Sequence, residues 1–276
     1  MSELKERASA ILKEFRGNTY AFGSGVLDEA PGKFAAKFGK KAMFVGPIEF
    51  EWFKPIQERI QTSMKKSSVD VVDVVKSAAP NAPFVDVYRI HSHIMHKNPD
   101  VLVVADGGSG IDAVKAAAML ASLGDIQPEI DFFFGVGKVT EVCQQSGRSI
   151  MPMVATMLAA SSGAHLTKYS NITDPVMGQK KLIVDEAIIP PRSVFDYDVT
   201  ITQPMSLTLD GGLDGIAHCL EVYFGAQAEM RDKVRQVAEI GIELCIKGLT
   251  EVKKDSTNKE ARTLLGLGTD LGGYAI

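Results

Sequence analysis

The first two hundred residues alternate short apolar runs with stretches of helical spacing. Apolar or β-branched runs at 18–23, 41–46, 68–75 and 100–105 predict strands. The segments 30–38, 50–65, 85–97 and 111–123 carry helical spacing. The run Asp100-Val101-Leu102-Val103-Val104-Ala105 is apolar without alternation, as a strand covered on both faces should be. Further strands are expected at 149–155 and 180–184, with a last strand or extended segment at 194–202. Strands alternating with helices predict a parallel sheet with helices on both faces, a Rossmann-like α/β domain. The pattern changes after Pro204. Helices are expected at 211–224, 229–250 and 261–271, and no strand signal remains. A boundary there divides the chain into an α/β domain over 1–203 and an all-α domain over 204–276.

Composition narrows the partners. The chain has 276 residues, 45% hydrophobic and 23% charged, an ordinary globular balance. A net charge of −4 provides no basic face for nucleic acid. No apolar run is long enough to cross a bilayer. The opening Met1-Ser2-Glu3-Leu4-Lys5-Glu6-Arg7 is mixed in charge and lacks the apolar core of a signal peptide. Cys143, Cys219 and Cys245 are widely spaced, odd in number and fit no zinc spacing, which predicts reduced, cytoplasmic thiols.

Several short motifs carry candidate chemistry. Val103-Val104-Ala105-Asp106-Gly107-Gly108-Ser109-Gly110-Ile111-Asp112 turns a strand through glycines into a helix. Such a turn lets backbone N–H groups approach a pyrophosphate, and the helix N-terminus adds partial positive charge. A plain turn, with Ser109 as N-cap and Asp112 three residues on, accounts for the same residues. Gly23-Ser24-Gly25 is a weaker glycine turn, and the small-residue loop around Ser162-Gly163 suits either close cofactor approach or tight packing. Asp214 and His218 stand at i and i+4, so they share a helix face and can bind one metal ion together. A local hydrogen bond between them is the simpler alternative. His91, His93 and His96 read as a solvated helix face, and His165 as either a surface residue or a polar group near a ligand.

Taken in order, these segments resemble the iron-containing (group III) alcohol dehydrogenases. Tyr20 to Leu27 is similar to the family's opening strand and "FGxGxL" turn, and Lys40 to Val45 to its second strand. Residues 99–115 resemble "PDxxxxxGGGSxxDxxK", with Gly107, Gly108, Ser109, Asp112 and Lys115 matching. Residues 162–174 resemble "TGSEVT…ITD", and 207–221 resemble "LTxxxGxDAxxHxxE". The resemblance covers essentially the whole chain. It implies a dehydroquinate synthase-like architecture and reversible hydride transfer between a small alcohol and an aldehyde or ketone. NAD(P) would lie across a domain cleft, held by Gly107, Gly108, Ser109, Asp112, Ser162, Gly163 and Pro47. Ferrous iron or zinc would be held by Asp214 and His218, with two further histidines that the family carries downstream. A homodimer is expected. No catalytic side chain is singled out.

The departures carry expectations of their own. Asp106 replaces the first glycine of the GGGS loop and brings a negative charge toward the pyrophosphate. Ala164 and His165 stand where the family has Ser and Glu. Pro47 follows the second strand where NAD-preferring members often carry an acid, which predicts tolerance of, or preference for, NADPH. The chain stops short of the family's remaining histidines, so the helical domain is expected to be incomplete. The competing readings are a zinc polyol dehydrogenase of the same superfamily and an inactive nucleotide-binding fragment.

Overall fold

The computed structural model describes residues 2–275. In chain order the elements are α1 (Ser2–Arg16), β1 (Tyr20–Gly23), α2 (Ala30–Ala35), β2 (Lys41–Gly46), α3 (Lys54–Lys66), β3 (Asp70–Lys76), α4 (Phe84–Lys97), β4 (Val101–Asp106) and α5 (Gly108–Leu123). Then come β5 (Gly135–Val136), α6 (Lys138–Ser146), β6 (Met153–Met157), β7 (Tyr169–Asp174), β8 (Gln179–Val184), β9 (Arg192–Asp196), α7 (Met205–Gly225), α8 (Arg231–Val252) and α9 (Lys259–Ala275). They form two compact units. One contains Leu27–Thr156 and Lys168–Val194, the other residues 2–26, 157–167 and 195–275.

The first unit is α/β. Its main strands run in the order β9-β6-β4-β2-β3, and the pairs β2–β3, β2–β4 and β6–β9 are parallel. Val101 to Ala105 of β4 are fully buried, as their unbroken apolar run requires. Alanines 113, 116, 117 and 118 of α5 are also fully buried, and such small side chains let the helix lie close to its neighbours. A second sheet, β5-β8-β7, contains an antiparallel hairpin whose register runs from Tyr169 opposite Val184 to Asp174 opposite Gln179.

The second unit is largely helical. Helices α7, α8 and α9 pack on one another, and α1 packs on α9. Glycines set the closeness of approach. A Cβ on Gly241 would lie 2.7 Å from Cys219 Sγ, and one on Gly268 would lie 2.6 Å from Cys245 Sγ. Arg262 is buried at the start of α9. Its guanidinium donates to Thr208 Oγ1 at 2.7 Å and to the carbonyls of Ser256 and Gln203. That arrangement joins α9, the turn before it and α7 through one donor fork.

Elements and expectations differ in instructive places. Helices α1 and α6 and strand β7 were not expected. Helix α1 buries Leu4, Ala8 and Leu12, an i,i+4 stripe inside a strongly charged sequence. The expected helix at 211–224 starts six residues earlier, at Met205, with Pro204 as N-cap. Gly211 and Gly212 therefore lie inside the helix. A Cβ on Gly211 would collide with the Ala160 carbonyl, and one on Gly212 would lie 2.6 Å from Leu249. The extended segment expected at 194–202 is β9 followed by a 3-10 turn over Tyr197–Thr202.

Candidate functional site

In the α/β unit, β4 ends at Asp106 and α5 starts at Gly108. Gly107, not Ser109, is the N-cap, and it has ordinary extended geometry with φ −76°. A Cβ at Gly107 would meet nothing within 4 Å, so open space lies beside the turn. No side chain caps the helix from the N-cap position. The Asp106 carboxylate turns back instead, and its Oδ1 accepts the Gly107 N–H at 2.7 Å. Its other oxygen and Ser77 Oγ fill the position that a Cβ on Gly110 would need. Burial lifts the Asp106 carboxyl to about 6. The neighbouring Ser77 hydroxyl and the Gly107 N–H oppose that rise, while Glu49 adds to it.

The other expected loop residues have definite neighbours. Gly108 and Ser109 are partly exposed. Ser109 Oγ accepts the N–H of Asn81 at 2.9 Å, tying the first turn of α5 to the loop before α4. Asp112 is buried, and its Oδ2 accepts the Asn171 N–H at 3.0 Å. Lys115 Nζ lies 3.8 Å from Asp112 and donates to the Tyr169 carbonyl at 2.7 Å. The Asp112 carboxylate thus fastens α5 to β7. Pro47 is buried directly after β2, and Glu49 two residues on pairs with Lys76 at 2.9 Å. Glu49 thus places an acid beside the loop that the sequence at Pro47 itself lacks. The expected solvated histidine face holds in part: His96 is exposed, while His93 Nδ1 lies 2.8 Å from Asp73.

In the helical unit, Ser162 is partly exposed and Gly163 is buried with φ +62°. A Cβ on Gly163 would lie 2.6 Å from Gly273 Cα. The glycine is needed there for its backbone conformation and for the contact with α9. His165 is neither a surface residue nor open to a pocket. It is buried, with Nε2 at 3.3 Å from Asp270 Oδ1 and 3.1 Å from the Tyr20 hydroxyl. Tyr20 and Tyr197 also donate to Asp270 Oδ2, at 2.5 and 2.8 Å. Burial, followed by the charge of Asp270, raises both phenols well above their ordinary value, so both stay protonated donors. This cluster was missed in the sequence, because its members lie 145 or more residues apart in the case of Tyr20 and its partners. A cavity of about 430 Å³ lies against Tyr20 and Tyr197 and is bordered by Lys5, Lys13 and Phe22.

Asp214 and His218 stand on α7 as i,i+4 neighbours, with Oδ1 3.6 Å from Nε2. The Asp214 side chain is 46% exposed and that of His218 19%. The spacing suits two ligands of one ion, but a metal-bound histidine normally donates its second ring nitrogen to a partner. His218 Nδ1 is buried without one. Among the described residues no group of three or more His, Cys, Asp or Glu comes together to hold a metal. Those residues therefore supply two donors and do not complete a site for iron or zinc.

A parallel α/β unit with a glycine turn between β4 and α5, in one chain with a largely helical unit bearing a carboxylate–imidazole pair, defines a two-part class of α/β and all-α protein. The model of the family "iron-containing alcohol dehydrogenase" matches residues 17–197, well over half of the chain, and the chain belongs to that family. It is 27% identical over 256 residues to alcohol dehydrogenase 4 of Saccharomyces cerevisiae, covering 92% of this chain and 63% of that protein. It is 26% identical over 201 residues to the NAD-dependent methanol dehydrogenase of Bacillus methanolicus, covering 73% of this chain and 50% of that one. Among solved structures, the alcohol dehydrogenase from Oenococcus oeni superposes with a TM-score of 0.82 at 23% identity, over 93% of this chain and 64% of that one. The chain thus spans less than two thirds of the length of these relatives.

Proposed function

We propose that this protein serves the NAD(P)-dependent interconversion of a small alcohol and its aldehyde or ketone. The observation that carries the reading is the open turn at Gly107, inside the segment that the family model matches. Backbone N–H groups at Gly107, Gly108 and Ser109 would receive the cofactor's diphosphate at the start of α5. Asp112 contributes by fixing α5 to β7, and Pro47, directly after β2, is offered as the residue that would meet the adenosine half of the cofactor. Gly163 is taken up by its contact with Gly273 of α9 and is left out of this reading, as is its neighbour Ser162. Asp214 and His218 are offered as two donors to a divalent iron or zinc. The nicotinamide carries the hydride, and the protein supplies position and charge. A cytoplasmic homodimer is part of the reading. Among the described residues no helix is long and apolar enough to cross a membrane.

The test is NADH titration of the purified chain and of Gly107→Val. A Cβ at that position meets no protein atom within 4 Å, so the fold should be retained by circular dichroism. NADH affinity should fall at least about 100-fold, because the valine occupies the space of the diphosphate. Unchanged affinity would remove the loop from the nucleotide site. A second reading, a nucleotide-binding protein without turnover, is favoured by the missing third metal donor. Alcohol-dependent reduction of NAD(P) separates the two.

A further inference from the structure

The family's first loop glycine is replaced here by a residue whose carboxylate already occupies the start of α5. Asp106 Oδ1 accepts the Gly107 N–H, one of the groups that a bound diphosphate would use. The carboxylate is held in that pose. Gly110 has no Cβ to displace it, and Ser77 Oγ stands beside it. Two anions cannot share one helix N-terminus without repulsion, since both draw on the same partial positive charge.

We infer that Asp106 is an affinity-setting residue for the dinucleotide: its carboxylate acts as an internal competitor, and the cofactor's diphosphate binds when Asp106 has taken up a proton. The inference rests on the nucleotide reading above. The surroundings favour the exchange. Glu49, from the turn after β2, adds negative charge, although its ion pair with Lys76 at the end of β3 offsets part of that. Arg89 of α4 is engaged with Asp86 and with the carbonyls of Lys76 and Ser77. Burial already brings the Asp106 carboxyl to about 6, so the proton is taken up near neutral pH. Once protonated, the side chain becomes a donor that can face a phosphate oxygen.

The sign is then set. Binding favours the protonated form, so affinity falls as pH rises above 6, by up to about tenfold per unit. The experiment is calorimetric titration of the full chain with NADH between pH 5.5 and 8.5, alongside Asp106→Asn. The amide keeps an oxygen for the Gly107 N–H but carries no charge. The wild-type dissociation constant should rise about 30- to 100-fold from pH 6 to pH 8, while that of the variant stays within about threefold. At pH 7 the wild type should also take up close to one proton on binding, read from titrations in two buffers of different ionisation enthalpy. That second measurement needs no variant. If both proteins bind NADH with the same pH profile, the role of Asp106 is overturned and the loop assignment stands. If neither binds at any pH, both readings fail together.

Discussion

At the β4–α5 turn, the groups that shape the loop come from the α/β unit itself. The turn follows a fully buried strand, its first helical residues are tied to Asn81, and Asp112 secures the helix to β7. On α7, Asp214 and His218 have the right spacing and nothing more. No third donor joins them among the described residues, and the second nitrogen of His218 has no partner to orient it. The two motifs looked alike in the sequence, since each is a few residues at a suggestive spacing. They differ because a backbone loop can be completed by adjacent segments, whereas a metal site needs side chains converging from several elements.

The comparison predicts its largest effect in metal affinity. After dialysis the chain should retain less than about a tenth of an equivalent of iron or zinc, because two protein donors leave most of the coordination shell to water. Asp214→Asn should lower that no further, and NADH binding should be unaffected. One equivalent retained, and lost in the Asp214 variant, would show that the pair belongs to a complete site. The next effect is on stability of the helical unit. Arg262→Ala strips buried Thr208 and two carbonyls of their donor and should cost about 3 kcal/mol in thermal denaturation. A loss below about 1 kcal/mol would mean that water replaces the guanidinium at no penalty.

A smaller effect separates the loop's own charge from its ligand. Asp106 has a folded-state value of about 6, above the ordinary 3.8, so its ionisation opposes folding. The penalty is absent below pH 4, grows between pH 4 and 6, and is complete above 6. Asp106→Asn should therefore stabilise the protein by about 1–2 kcal/mol at pH 8 and leave it unchanged at pH 3.5. Equal stabilisation at both values would assign the gain to packing. The smallest effect concerns cofactor choice. Pro47 removes one acid from the end of β2, but Glu49 returns another nearby, already paired with Lys76. NADPH should bind within about tenfold of NADH, and Glu49→Gln should shift the ratio about threefold toward NADPH. A preference for NADH above a hundredfold would reject the Pro47 argument.

What could be read from the chain followed the range of each signal. β4 and α5 were legible because an unbroken apolar run and a glycine turn state their structure locally. Helix α1 was not legible, because its many charges masked the short stripe of Leu4, Ala8 and Leu12. The Gly211-Gly212 pair was misread as a helix start because glycine signals turns and close packing alike. Only contacts with Ala160 and Leu249 decide for packing. His165 is similar. No local pattern announces that a histidine will be buried against Asp270, 105 positions later, with Tyr20 and Tyr197 completing the cluster.

The sequence by itself determined the strand–helix alternation, the change to helices after Pro204, and the ordered family motifs, since each depends on neighbours a few residues apart. Tertiary structure alone decided which glycines are loops and which are contacts. It turned Asp112 toward β7 and placed Asp106 across the start of α5, because burial and hydrogen-bond satisfaction depend on what else reaches the same few cubic ångströms.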